Sequence, residues 1–162
     1  TEWTCEPLCF VDTAGCGFEE TPGDDDGSKA NPGEAELVRK IVVQLREAGV
    51  PAQAIAVITP YNAQVQLLRR MLLHEPDLEI GTVDGLQGRE KEAVVVSFVR
   101  SNEIGEVGFL AELRRLNVAL TRARRHLTIV GDSATLARNR DLMGLVLHLQ
   151  AVAAYRSGFE LA

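Results

Sequence analysis

Ala93-Val94-Val95-Val96-Ser97-Phe98-Val99 is a nearly unbroken apolar run, with Lys91-Glu92 before it and Arg100-Ser101-Asn102 after it. A half-exposed strand alternates apolar and polar residues. A run this continuous and this rich in β-branched residues reads instead as a strand buried on both faces, the habit of a central strand in a parallel sheet. Working outward, Leu8-Cys9-Phe10-Val11-Asp12, Ile55-Ala56-Val57-Ile58, residues 78–83 and Leu127-Thr128-Ile129-Val130 are shorter runs of the same kind, the last of them expected to be the final strand. Between them, helical spacing recurs. Leu37, Ile41, Val42 and Leu45 lie on one face of residues 33–48, which Gly49 stops. Val65, Leu68 and Leu72 do the same within 61–73, and residues 114–124 and 141–155 read as two further helices. Strands alternating with helices predict an α/β fold, a mainly parallel sheet with helices on both faces.

The chain has 162 residues, 46% hydrophobic and 25% charged, which suits one globular domain spanning 1–162. No apolar run approaches the roughly 18–20 residues needed to cross a bilayer, so no membrane partner is expected. The chain opens Thr-Glu-Trp-Thr, with no initiator Met and no secretory pattern, and reads as a piece of a longer intracellular protein of the cytoplasm or nucleus. Cys5, Cys9 and Cys16 form neither a disulfide framework nor a CxxC pair. His74, His126 and His148 lack metal-ligand spacing, so no metal site is expected. The net charge of −6 is unevenly spread. Glu19, Glu20, Asp24, Asp25 and Asp26 crowd a Gly- and Pro-containing stretch over 13–32, expected to be a mobile acidic surface loop, with its acidic part at about 17–32. Arg114, Arg115, Arg122, Arg124 and Arg125 form a basic cluster, so net charge alone does not exclude a nucleic-acid partner.

In parallel α/β folds, ligands sit beyond the carboxyl ends of the strands. Three polar segments draw attention there. Thr82-Val83-Asp84-Gly85-Leu86-Gln87-Gly88-Arg89-Glu90 combines glycines that allow backbone approach with an amide and an acid suited to sugar hydroxyls. An ordinary turn with a surface ion pair accounts for it equally well. Arg114-Arg115-Leu116-Asn117-Val118-Ala119-Leu120-Thr121-Arg122-Ala123-Arg124 sets Leu116, Leu120 and Ala123 toward the core and its arginines off that stripe. The planar guanidinium fork suits phosphate, and a solvated helix face is the plain alternative. Thr59-Pro60-Tyr61-Asn62 at a strand-to-helix turn offers a hydroxyl and an aromatic to a nucleic-acid backbone or base, or merely caps a helix through Thr59 or Asn62. No GxxxxGK[ST] phosphate loop occurs.

Taken together and in order, Thr59 to Gln64, Thr82 to Asn102 and Gly108 to Asp132 resemble motifs IV, V and VI of the second motor domain of Upf1-like superfamily 1 helicases. Residues 11–17, 28–38 and 98–112 are similar to its immunoglobulin mu-binding branch. The resemblance runs over roughly residues 8–150. It implies a RecA-like, P-loop NTPase-type fold and half of a 5′-to-3′ motor. In such a motor, ATP lies between this domain and a first RecA-like domain of the same parent chain, which supplies the phosphate loop and most of the hold on Mg2+. By motif match, Arg122 is the catalytic arginine that stabilises charge on the leaving γ-phosphate. Glu90 matches the ribose contact, and Gln87, Gly88 and Arg115 match positions lining the ATP cleft. Thr59, Pro60, Tyr61, Thr82, Arg100 and Asn102 fall in segments that face single-stranded RNA or DNA. Leu113 and Leu86 depart from the pattern, which has a polar residue or Pro and an aromatic there. The alternatives are a stand-alone single-strand-binding module, or a protein-interaction module using the acidic loop.

Overall fold

The computed structural model describes residues 2–25, 27–86 and 89–162. In chain order the strands and helices are β1 (Leu8–Asp12), β2 (Thr21–Pro22), β3 (Lys29–Ala30), α1 (Pro32–Glu47), β4 (Ile55–Ile58), α2 (Asn62–Met71), β5 (Glu79–Gly81), β6 (Lys91–Ser97), α3 (Leu113–Leu120), β7 (Ala123–Gly131), α4 (Ser133–Leu136), α5 (Arg140–Val152) and β8 (Ala154–Ser157). Six strands form one sheet in the order β5-β4-β6-β7-β1-β8, with every neighbouring pair parallel. The pair β2 and β3 makes a separate antiparallel hairpin.

Ala93 to Ser97 of the long apolar run lie in β6, between β4 and β7, whereas Phe98 and Val99, expected to continue the strand, follow its end. Strand pleating sends successive side chains to opposite faces. Ala93 and Val95 accordingly join Cys9, Val11, Ile55 and Val57 in a core completed by α1 and α2. Val94 and Val96 join Phe10, Ala56, Ile58 and Ile129 on the other face, under α3, α4 and α5. All of these side chains are buried, so each face contributes an apolar layer and the layered α/β architecture stands as expected.

Four local expectations are corrected. The helix over 114–124 ends at Leu120, and Ala123 and Arg124 instead open β7, in register with β6. The closing helix stops at Val152, and the chain then adds β8 beside β1, so Leu127–Val130 is not the last strand. The Ala-Tyr-Arg-Ser edge strand has no apolar pattern to announce it, because an edge strand buries little. The stretch over 13–32 is not a plain surface loop: it carries the β2–β3 hairpin, and the Glu20 main chain donates to the Ser101 carbonyl at 3.2 Å. At α2 neither Thr59 nor Asn62 caps the helix; the Ser28 hydroxyl, from the hairpin side, accepts the Ala63 N–H at 3.0 Å.

Leu86 is buried in the second core layer, while Leu113 opens α3 with its side chain 45% exposed. The departure at Leu86 is therefore a matter of core packing, whereas that at Leu113 lies at the surface.

Candidate functional site

Parallel strands put all their carboxyl ends at one edge of the sheet and all their amino ends at the other. The seven residues of β6 separate the two edges by about 23 Å. The candidate residues divide between these edges.

Thr59, Pro60 and Tyr61 follow β4 at the carboxyl edge, Thr82 follows β5, and Arg100 and Asn102 follow β6. The Thr59 N–H donates to the Gly81 carbonyl at 3.2 Å, which joins the first two groups. Tyr61 is 2% exposed. Its hydroxyl accepts from Arg100 Nη1 at 3.0 Å and from the Phe109 N–H at 3.3 Å, and its ring packs on Phe109 at 5.5 Å between centroids. In this conformation the ring is covered and offers no open face to a base; the aromatic with an exposed surface here is Phe109. Gly108, at φ 53°, passes so close that a Cβ would collide with the Arg100 guanidinium and the Tyr61 hydroxyl.

Arg100 is itself buried. Its Nε donates to Glu20 Oε2 at 2.8 Å. Burial works against its charge, but the bonds to Glu20 and Tyr61 more than offset it and hold the guanidinium pKa above its ordinary value. The same Glu20 oxygen accepts from the Ser101 N–H at 2.9 Å and from Asn102 Nδ2 at 3.2 Å. Asn102 also closes the following turn, exchanging hydrogen bonds with the Glu106 main chain. One carboxylate oxygen thus organises three consecutive residues. In the sequence Glu20 is one acid of an acidic run, and nothing local marks it as different from Glu19. Alongside lies an open groove of about 630 Å³ lined by Thr13, Glu19, Glu20, Ser101, Asn102 and Asp132 among others. Its carboxylates disfavour phosphate there.

Glu90 precedes β6 and Arg122 precedes β7 at the amino edge, contrary to the expectation that the site residues follow strands. The Lys91 N–H donates to the Arg122 carbonyl at 3.1 Å, which sets the two residues side by side. Both are solvent-accessible. Arg122 folds back on its own helix, with Nε donating to the Val118 carbonyl at 3.0 Å and Nη2 to the Thr121 hydroxyl at 3.2 Å. A cation at the last carbonyls of a helix meets the negative end of its dipole. Around it, Glu90 pairs with Arg124 at 3.3 Å, and Glu92 pairs with Arg125 at 3.0 Å. Gln87 and Gly88 lie outside the described residues.

Arg115 stands apart from both groups. It is exposed, pairs with Glu112 at 3.3 Å and lies 3.7 Å from Asp84. It lines a small hollow with Pro60, Phe98 and Phe109, which places it toward the carboxyl edge rather than beside Arg122. Among the described residues no group of three His, Cys, Asp or Glu side chains is arranged to hold a metal ion. No helix there is long and apolar enough to cross a membrane.

The chain is 54% identical over 161 residues to the DNA-binding protein SMUBP-2 of Rattus norvegicus, covering 99% of this chain and 16% of that protein. It is 51% identical over 142 residues to the DNA polymerase alpha-associated DNA helicase A of Schizosaccharomyces pombe, covering 84% and 22%. The chain therefore spans about a sixth to a fifth of these relatives. The C-terminal domain of a possible DNA helicase from Lactobacillus plantarum shares the fold, with a TM-score of 0.52 at 13% identity over 95% of this chain and 85% of that one. These likenesses bear out the motif resemblance and the RecA-like α/β fold. A family model described as an AAA domain, AAA_12, matches residues 1–134, and to that family this chain belongs.

Proposed function

We propose that this chain is the C-terminal half of an ATP-dependent 5′-to-3′ helicase motor that works on single-stranded RNA or DNA. The observation that carries the reading is the adjacency of Glu90 and Arg122 at an exposed amino edge, with the strand-facing candidates at the far end of the same strands. Thr82 follows β5 at the carboxyl edge and Glu90 precedes β6 at the amino edge, so the connection between these two strands offers a route for coupling the edges.

ATP supplies a transferable γ-phosphoryl group, and its phosphates and Mg2+ are held chiefly by a first RecA-like domain of the parent protein. The donor set on this side fits the rest. Glu90 accepts from a ribose hydroxyl. Arg122 gives up its bonds to Val118 and Thr121 and turns its guanidinium to the charge that develops on the phosphoryl oxygens. The two bonds given up go to neutral acceptors and the one to Thr121 is exposed, so exchanging them for a bond to a charged oxygen costs little. Arg115 acts from the Pro60 side rather than beside Arg122. Pro60, Thr82 and Asn102 face the nucleic-acid backbone, while the buried Thr59, Tyr61 and Arg100 brace them from beneath. Opening and closing of the inter-domain cleft then moves the strand. Reading the chain as a stand-alone binding module gains nothing from the acidic groove at the carboxyl edge.

The test compares the isolated chain with the parent protein in ATP hydrolysis, with and without single-stranded oligonucleotide. The expected result is negligible turnover by the chain alone and strand-stimulated turnover by the parent. Hydrolysis by the chain alone would place a complete site within these residues and overturn the two-domain reading.

A further inference from the structure

Val99 has φ 70°, the only non-glycine residue with a positive φ among those described. A β-branched side chain rarely adopts this conformation, which persists only where its surroundings hold it. It lies at the exit of β6, one residue before Arg100, and its side chain is fully buried.

The surroundings are polar, and they come from helix starts. Glu34, in the first turn of α1, is completely buried. Its Oε1 accepts from the Val99 N–H at 2.8 Å and from the Ser97 hydroxyl at 2.7 Å. Asn31, the N-cap of α1, donates from Nδ2 to the Val99 carbonyl at 3.0 Å and accepts the Glu34 N–H at 3.0 Å. Gln64 of α2 accepts the Asn31 N–H at 2.9 Å and donates to the Ser97 hydroxyl at 3.2 Å. Both main-chain polar groups of Val99 are thus held by side chains of α1. Burial raises the Glu34 pKa to about 7, against the pull of those hydrogen bonds. Burying a carboxyl costs free energy, and its hydrogen bonds offset only part of that cost.

We infer that Glu34 and Asn31, backed by Gln64, are positioning residues that hold Val99 left-handed and so aim the Arg100–Asn102 segment at the single strand. The inference rests on the reading of that segment as nucleic-acid-facing. None of the three touches the strand; they act through Val99. Without the clamp, Val99 relaxes toward an ordinary negative φ, and Arg100 loses its registry with Glu20 and Tyr61.

The experiment uses the full-length parent protein. Glu34→Ala and Val99→Gly are made singly and together, and single-stranded oligouridylate is titrated into an ATP hydrolysis assay. Glu34→Ala is expected to raise the half-maximal oligonucleotide concentration about tenfold while turnover at saturation changes less than about twofold. Glu34→Gln keeps an acceptor oxygen in place and is expected to stay within about threefold of wild type. Glycine holds φ 70° unaided, so adding Glu34→Ala to Val99→Gly is expected to cost no more than about threefold further. The same tenfold loss in both backgrounds, or a loss of turnover in place of affinity, would overturn the inference. Should Glu34→Ala fail to fold, Ser97→Ala removes one of the two donors to the carboxylate, and an unchanged affinity there overturns it equally. Amide hydrogen exchange at Val99 separates the two levels of the reading. If wild type shows no strand stimulation, the functional reading fails. The clamp then stands or falls on whether Glu34→Ala or Ser97→Ala speeds exchange at Val99 while Glu34→Gln leaves it near the wild-type rate.

Discussion

The two edges of one sheet are built in opposite ways. At the carboxyl edge, Glu20, Arg100, Tyr61, Glu34 and Asn31 are buried or nearly so and bonded to one another across the hairpin, α1, α2 and the exit of β6. At the amino edge, Glu90, Arg124 and Arg125 are exposed, Glu92 is half-buried, the four make surface pairs, and Arg122 caps its own helix. Buried polar groups hold one geometry because breaking any bond leaves a partner unsatisfied. Exposed pairs are worth little and rearrange freely. The difference teaches that the carboxyl edge holds its geometry by itself, whereas the amino edge presents side chains free to rearrange, which is what the proposed closure against a second domain requires.

Glu20→Ala gives the largest expected effect on stability. It leaves the Arg100 guanidinium buried without its main carboxylate partner, at a cost on the order of 3 kcal/mol. Urea unfolding checks this, and a change below about 1 kcal/mol would mean the carboxyl edge is no more pre-built than the amino edge.

A second effect, comparable in total but spread over a pH window and with a sign, concerns Glu34. Its folded-state pKa of about 7 lies above the ordinary 4.5, so the native state retains a proton that the unfolded chain releases. Stability from this group is fully present below pH 4.5 and is lost as the pH rises toward 7, a total on the order of 3 kcal/mol spread across that window. Glu34→Gln is expected to flatten that part of the pH–stability curve. Parallel curves for wild type and variant would contradict a buried, titrating carboxyl.

Arg124→Ala is expected to give the smallest effect, below about 1 kcal/mol in the same unfolding experiment, because its partners Glu90 and Glu92 are themselves solvent-accessible. A large loss would blur the distinction between the edges.

The sheet was legible in the sequence wherever strands are buried on both faces. Val94-Val95-Val96 and Ile55-Ala56-Val57-Ile58 declare themselves by apolar continuity, and the motif order carried the family. β8 was not legible, since an edge strand of mixed residues has no signature apart from the strand it joins. Nor was the end of α3, where Leu120, Ala123 and the intervening polar residues fit a continuing helix until register with β6 takes over. Expecting ligands only beyond strand carboxyl ends hid the amino-edge placement of Glu90 and Arg122. Glu20 and Glu34 act through partners 80 and 65 residues away, and no local pattern carries that information. The Asn31-Pro32-Gly33-Glu34 start of α1 did carry a cap signature that would have marked the helix entry.

The most direct test is single-turnover ATP hydrolysis by the parent protein carrying Arg122→Ala, at saturating single-stranded oligonucleotide, with strand affinity measured on the same sample. The expected result is a loss on the order of 10³-fold in the hydrolysis rate with affinity within about twofold of wild type, because the arginine acts at one edge and the strand binds at the other. Hydrolysis close to the wild-type rate would remove Arg122 from the reaction and contradict the account.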